Sequence, residues 1–116
     1  MGSGEKDGFV LLTLVVKPFR LDAVLAALKP FHVVSATASE VRGYGRQKGH
    51  LELYRGREYV ISFIPKVKLE VVVPSSEAPE LIGAAQLAAR TGRIGDGKIF
   101  LQHLEGLYSE EPLPLA

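Results

Sequence analysis

An almost entirely apolar run near the N-terminus limits the folds that are open to this chain. Phe9–Val16 reads FVLLTLVV and is rich in β-branched residues, which favours a β-strand over a helix. A strand with apolar side chains on both sides is expected to be buried on both faces, so it belongs inside a covered sheet. The Lys17-Pro18 pair that follows ends this strand.

The residues after the first strand predict the rest of a βαβ unit. Four apolar residues have the spacing of one face of an amphipathic helix: Leu21, Val24, Leu25 and Leu28. Pro30 is expected to end that helix, because proline removes a backbone hydrogen bond. Val33–Val41 mixes β-branched with small residues and predicts a second strand.

The second half of the chain repeats this order. Lys66–Val73 alternates at first between charged and apolar residues and predicts a third strand. Ser75 or Ser76 is predicted to cap the next helix, and Gly92 to end it. The apolar face of that helix is formed mainly by small residues: Leu81, Ala84, Ala85 and Ala88. Lys98–Leu104 is the predicted fourth strand.

The order β-α-β-β-α-β indicates an α+β domain with the ferredoxin-like topology. Right-handed crossovers place both helices on one face of a four-stranded antiparallel sheet. The other face stays uncovered, and because the first strand is apolar on both sides, we expect that face to meet another subunit in a closed cyclic oligomer. The domain is predicted to span residues 9–104, between a flexible lead at 1–8 and a loose tail at 105–116.

A long polar segment, Arg42–Lys66, separates the two halves. Connections in compact domains are usually about 4–6 residues long, and much longer ones are usually functional or disordered. Residues 43–64 are the predicted loop, with Tyr44, Tyr54 and Tyr59 as candidate interface or modification sites. Five basic residues lie at the start of the segment or within the loop: Arg42, Arg46, Lys48, Arg55 and Arg57. The first part, RGYGRQK, suits phosphate binding, and the alternative is a solvated basic loop.

A second glycine-rich segment, Thr91–Phe100, reads TGRIGDGKIF. Glycines let a backbone approach a phosphate closely, and Lys98 could supply a point charge. The alternative is a helix end followed by a turn before a strand. The segment is not a P-loop, because the order strand, GxxxxGK[ST], helix is missing.

Composition excludes several classes of protein. The chain has 116 residues, a net charge of +1 and no cysteine, so it is predicted to be a single domain without disulfides, zinc fingers or a cysteine nucleophile. The scattered His32, His50 and His103 do not suggest a metal site. No apolar run is long enough to cross a membrane and no nucleophile motif occurs, so we expect a cytoplasmic protein that is not an enzyme.

Four motifs in this order and spacing resemble the PII nitrogen-regulatory signalling proteins. They are GRQKGH at Gly45–His50, YRG-x-EY at Tyr54–Tyr59, PKVK-x-E at Pro65–Glu70 and TG-x-IGDGKIF at Thr91–Phe100. The resemblance implies a homotrimer of ferredoxin-like subunits with ATP or ADP in the clefts between neighbours. It also implies that the long loop, the family's T-loop, engages a protein target such as an ammonium channel, a metabolic enzyme or a regulator. Contact with a membrane would be indirect, through such a channel.

The resemblance also assigns roles to particular residues. The nucleotide-binding positions would be Thr37, Gly45, Arg46, Gln47, Glu70, Val72, Gly95, Asp96, Gly97 and Lys98. Gln47 and Lys66 would bind 2-oxoglutarate, with Gln47 also helping to hold magnesium beside ATP. Tyr59 stands where several bacterial members are uridylylated.

The carboxy-terminal stretch departs from the family pattern and leaves the ligand open. Ser109 and Glu111 stand where the family usually has two arginines that reach the phosphates, and no Lys or Arg follows Lys98. One interpretation is a sensor of ATP or ADP and 2-oxoglutarate that regulates nitrogen metabolism. A second is a divergent PII-like regulator of carbon metabolism with an AMP-type nucleotide or bicarbonate as ligand. A third, a basic-loop module for nucleic acid, is disfavoured by the net charge of +1.

Overall fold

The computed structural model describes residues 8–43, 64–93 and 95–110. The elements are β1 (Phe9–Val16), α1 (Leu21–Ala27), β2 (Ser35–Gly43), β3 (Ile64–Pro74), α2 (Ala78–Ala89) and β4 (Gly97–His103). All neighbouring strands are antiparallel, in the order β2-β3-β1-β4. This confirms the predicted α+β, ferredoxin-like fold. Across the described ranges, no helix has the length and apolar character that crossing a bilayer requires.

Burial along β1 alternates strictly from one residue to the next. Val10, Leu12, Leu14 and Val16 are buried, whereas the residues between them are only half-buried. The prediction that β1 is buried on both faces is therefore wrong for the single chain, because both helices cover the same face of the sheet. We call the other side, which carries the odd-numbered residues of β1, the uncovered face.

The core lies between the helices and the sheet. The helices contribute Val24, Leu28, Ala78, Leu81, Ala85 and Ala89 to it. Full burial of one leucine contributes about 1.5–3 kcal/mol, so a few such residues account for much of the marginal stability of a domain. Leu25, predicted on the inner face of α1, is instead 39% exposed, and Ala84 and Ala88 are only half-buried.

The strand boundaries differ from the predicted ones because pairing, not composition, sets them. β2 begins at Ser35 instead of Val33 and continues to Gly43, where it still faces Ile64 across the β2–β3 ladder. β3 accordingly begins at Ile64. β4 begins one residue early, at Gly97, which faces Val16. The predicted loop 43–64 therefore has paired ends, and its remainder lies outside the described residues.

The start of α2 is also different from the prediction. Neither Ser75 nor Ser76 caps the helix, because both lie in the 3-10 turn Ser75–Glu77 that precedes it. The Glu77 carboxylate instead accepts hydrogen bonds from the His32 backbone N–H at 2.8 Å and lies 2.6 Å from His32 Nδ1. Burial raises the pKa of Glu77, but the contacts with His32 outweigh it and lower the pKa below its usual range. This pair joins the α1–β2 connection to the start of α2.

Candidate functional site

The glycine-rich segment between α2 and β4 forms a turn that is organised by one carboxylate. Asp96 Oδ2 accepts the backbone N–H groups of Thr91 at 2.8 Å and Gly92 at 2.9 Å. Asp96 Oδ1 accepts the Thr91 hydroxyl. We call residues 91–93 and 95–97 the Asp96 turn. The carboxylate closes the turn from within, as short polar side chains commonly do in loops.

Gly92 does not end α2 as predicted. The helix ends at Ala89, and Arg90 is already extended, with φ −71° and ψ 133°. Gly92 has φ +84° and belongs to the Asp96 turn, where its N–H contacts the carboxylate. The two sequence interpretations of this segment are therefore compatible, because a shaped turn can also be a ligand-binding turn.

Lys17, immediately after β1, attaches the Asp96 turn to the sheet. Its Nζ donates to Thr91 Oγ1 at 3.1 Å and lies 3.0 Å from Asp96 Oδ1. Hydrogen bonding to Thr91, followed by smaller contributions from Lys17 and Gly92, lowers the pKa of Asp96 far below its usual range. The Asp96 turn thus has a fixed negative charge that a lysine partly neutralises.

Lys66 approaches the same turn from β3. It is only 6% exposed, and its ammonium donates to the backbone carbonyl of Gly95. Its stem packs beside Gly43, where an added Cβ would lie 3.3 Å from Lys66 Cγ. Burial lowers the pKa of Lys66, as does the charge of Lys17, while Asp96 opposes them. A buried ammonium is costly unless it has partners, which makes Lys66 a strong candidate for binding an anion.

Gly97 lets β4 begin against β1 without a gap. Its φ is +132°, which side chains rarely allow, and an added Cβ would overlap the Val15 carbonyl oxygen. Lys98 pairs with Val15, next to the Gly97–Val16 pair at the end of the β1–β4 ladder. Lys98 is exposed, so its ammonium can reach a ligand.

The predicted adenine positions form a separate group on β2 and β3. Thr37 faces Glu70 in the β2–β3 ladder, and Ser35 faces Val72 two residues further along. Glu70 also faces Thr13 of β1, so Thr37 and Glu70 share the uncovered face. Lys98 is on β4 at the opposite edge of the sheet, three strand spacings or roughly 14 Å from β2. One chain therefore keeps Thr37 well apart from Lys98, whereas Glu70 and Val72 on β3 are only two strand spacings or roughly 10 Å from β4.

Two clefts lie beside the lysines. A cleft of about 530 Å³ is lined by Pro18, Glu40, Val41, Arg42, Pro65, Lys66 and Val67. A smaller one of about 210 Å³ is lined by Gln86, Ala89, Arg90, Asp96, Gly97, Lys98 and Ile99. The first has an excess of positive charge at the base of the long segment, and the second opens beside the Asp96 turn.

The remaining predicted residues cannot be placed. Gly45, Arg46, Gln47 and Tyr59 lie outside the described residues, so their assigned roles remain predictions. Within the described part of the chain, His, Asp and Glu do not gather into a group that could hold a metal ion. Sequence reasoning missed Lys17 and Thr91 as members of this network. The position of Lys17 directly after a buried strand was the available signal.

Comparison with known proteins places this geometry in a family. The family model for nitrogen regulatory protein P-II matches residues 9–109. Nitrogen regulatory protein P-II of Haemophilus influenzae is 55% identical over 91 residues, covering 78% of this chain and 81% of that protein. Nitrogen regulatory protein GlnK of Escherichia coli is 48% identical over 95 residues, covering 82% and 85%.

A solved structure shows the same fold. The crystal structure of Arabidopsis thaliana PII bound to citrate has a TM-score of 0.63 and 33% sequence identity, covering 83% of this chain and 77% of that one. Together with the regulatory relatives, this confirms the predicted family and the prediction that the chain is a regulator and not an enzyme. The chain belongs to the P-II family of nitrogen regulatory proteins.

Proposed function

We propose that this protein senses adenine nucleotides, with 2-oxoglutarate as a further ligand, and regulates nitrogen-metabolism targets through the segment 43–64. The observation that carries the proposal is that the Lys66 ammonium reaches the Gly95 carbonyl of the Asp96 turn, while the exposed Lys98 follows that turn at the start of β4. Two ammonium groups beside a closely packed glycine turn suit a polyphosphate and a carboxylate. The family resemblance, which implies ATP or ADP in clefts between subunits, supports an adenine nucleotide as the ligand.

The proposed site forms between subunits of a homotrimer. Its support is the separation of Thr37 on β2 from Lys98 on β4, which lie at opposite edges of one sheet. A cyclic assembly could bring the β4 edge of one subunit to the β2 edge of the next. The half-buried apolar residues of the uncovered face, with Phe100 at 52% exposure, would be covered in the process. Light scattering should give about three times the chain mass of 12.6 kDa.

Ligand action on the target follows from a population shift. The strands that carry Gly43 and Ile64 continue directly into the long segment, and Lys66 is two residues from its end. A ligand that binds Lys66 can bias that segment only if it binds one of its arrangements more tightly than another. We propose Gln47, with magnesium and ATP, as the partner of Lys66 in this step, and a cytoplasmic setting for the protein.

Calorimetry tests the proposal directly. ATP, ADP and AMP are titrated with and without magnesium and 2-oxoglutarate, and we expect micromolar to millimolar affinity for ATP or ADP. Lys98→Ala should lower the affinity for the nucleotide by about tenfold or more, as expected for the loss of one charge-assisted phosphate contact. Lys29→Ala, a substitution in the turn after α1, is the matched control for loss of one surface charge. No nucleotide binding up to millimolar concentration would refute the sensing function.

A specific observation favours a second candidate. The chain has no cation after Lys98, and the described tail to residue 110 contains Glu105 and Glu110, both exposed. A site without carboxy-terminal cations is less suited to a triphosphate, because each charge-assisted contact is worth about 1.5–3 kcal/mol. We therefore propose as the alternative a regulator with an AMP-type nucleotide or bicarbonate as ligand. In the same titration, an ATP preference with 2-oxoglutarate synergy would exclude it.

A further inference from the structure

Two lysines contact the Asp96 turn, and a ligand has been proposed for only one of them. Lys66 comes from β3 and contacts the Gly95 carbonyl. Lys17 follows β1 and contacts Thr91 and Asp96. The Lys17 side chain is 15% exposed, so it is nearly as enclosed as Lys66. Its contacts are all to the turn, so its role has to be sought in what the turn does.

We propose that Lys17 is a positioning residue for Lys66, which it affects through the Asp96 turn and through repulsion between the two ammonium groups. The inference rests on the proposed function only for its effect on ligand affinity. The effect through the turn follows from a chain of contacts. Lys17 binds the side chains of Thr91 and Asp96, and Asp96 accepts hydrogen bonds from backbone amides of the turn. The Gly95 carbonyl of the same turn accepts a hydrogen bond from Lys66.

The second part follows from the charges. The turn has one carboxylate, Asp96, against the ammonium groups of Lys17 and Lys66 and its own exposed Arg93, which leaves positive charge in excess beside two largely enclosed lysines. Among the described residues, Glu40 and Arg42 of β2 line the same cleft as Lys66 and have opposite signs, and Lys68 and Lys98 flank Val15 at the same end of the sheet. Burial lowers the pKa of Lys66 most, the charge of Lys17 lowers it further, and Asp96 opposes both. A bound anion would offset this excess of positive charge.

The test begins with the protein in the absence of ligand. The Lys66 side chain is titrated by ¹³C and ¹⁵N NMR and assigned by the signal that Lys66→Arg removes from the seven lysines. Lys17→Gln keeps a donor but removes the charge, so the Lys66 pKa should rise. Lys17→Arg keeps the charge and should leave the pKa close to that of the unaltered protein. Thr91→Val is the matched control, because it keeps both ammonium charges. It should raise the Lys66 pKa by less than Lys17→Gln does.

The ligand arm uses 2-oxoglutarate with magnesium and ATP. Lys17→Gln should lower the affinity for 2-oxoglutarate by about fivefold, which is the scale of one partly buried charge interaction. Lys17→Arg should keep the affinity of the unaltered protein. Failure of the unaltered protein to bind 2-oxoglutarate would count against the proposed function alone. The titration of Lys66 without ligand would still decide the role of Lys17.

Two results would overturn the inference. One is an unchanged Lys66 pKa in Lys17→Gln. The other is an equal rise in Lys17→Gln and Thr91→Val, which would mean that the shape of the turn alone controls Lys66. Should Lys17→Gln not fold, the double variant Lys17→Gln/Asp96→Asn leaves no unpaired carboxylate. Its Lys66 pKa should exceed that of Asp96→Asn alone, from which it differs only in the Lys17 charge, and an equal or lower value overturns the inference.

Discussion

Substitution of Gly97 by alanine separates two effects that usually occur together, an unfavourable backbone angle and a steric clash. Gly97 has φ +132°, and a Cβ there would overlap the Val15 carbonyl oxygen and lie 3.1 Å from its carbon. Two other glycines serve as controls. Gly92 has φ +84° but open space around it, and Gly83 lies in α2 with open space and an ordinary helical backbone.

The three substitutions should have clearly different effects on the free energy of unfolding. Gly83→Ala should stabilise the protein by about 0.5–1 kcal/mol, because alanine is the better helix former. Gly92→Ala should cost about 1–2 kcal/mol for the backbone angle alone. Gly97→Ala adds a backbone clash that the β1–β4 ladder must absorb, at roughly 1–3 kcal/mol more, so its total is about 2–5 kcal/mol.

Urea denaturation at one fixed protomer concentration measures these differences, because assembly makes stability depend on concentration. We expect the midpoint of Gly97→Ala to fall by about 1–2 M, and that of Gly83→Ala to rise slightly. If Gly97→Ala were no less stable than Gly92→Ala, the close approach of β4 to Val15 would not be a constraint on the site, and the reasoning would be wrong.

Four further substitutions, one of them a control, test other parts of the structure. Leu81→Ala should lower the free energy of unfolding by about 2–5 kcal/mol, whereas Leu87→Ala, at a position 68% exposed, should change it by less than about 0.5 kcal/mol in denaturation experiments. Asp96 has a lowered pKa, so its stabilisation is present above about pH 4 and lost as the pH falls; Asp96→Asn should lower stability at pH 7 and flatten the acid limb of stability against pH. Glu77→Gln should cost about 1 kcal/mol at pH 7, and because the pKa of Glu77 is lowered, this cost should shrink as the pH falls below about 4.5; a cost independent of pH would contradict a charged Glu77 in the contact with His32.

The fold could be predicted because its signals are local and repeated. The apolar run Phe9–Val16 gave the first strand with its observed bounds, and the helical spacing from Leu21 gave α1. The order of elements then left few topologies, since sequential βαβ units have a preferred hand. The ends of β2 were not predictable, because Gly43 is a poor strand residue that is in the sheet only through its partner Ile64.

The candidate site was predictable in part. The glycines and Lys98 could be found because their spacing is unusual, and Lys66 was assigned through the family resemblance. The burial of Lys66 could not be predicted, because it depends on the Gly95 carbonyl 29 positions away. Lys17 meets Thr91 across 74 positions, a contact that no local pattern indicates. Ser75 and Ser76 do not cap α2, because they form a 3-10 turn whose last residue, Glu77, binds the distant His32.

The pairing of Gly43 with Ile64 has a consequence for how this protein can change over evolution. Facing partners in a ladder lie about 5 Å apart, so the twenty residues from 44 to 63 leave and rejoin the sheet at almost one point. The entropy of closing such an excursion changes by only about 0.6 kcal/mol when its length is halved or doubled. Outside Gly45–Gln47, which have assigned ligand roles, the segment can therefore change in length and sequence. New partners become accessible at little cost to the stability of the sheet.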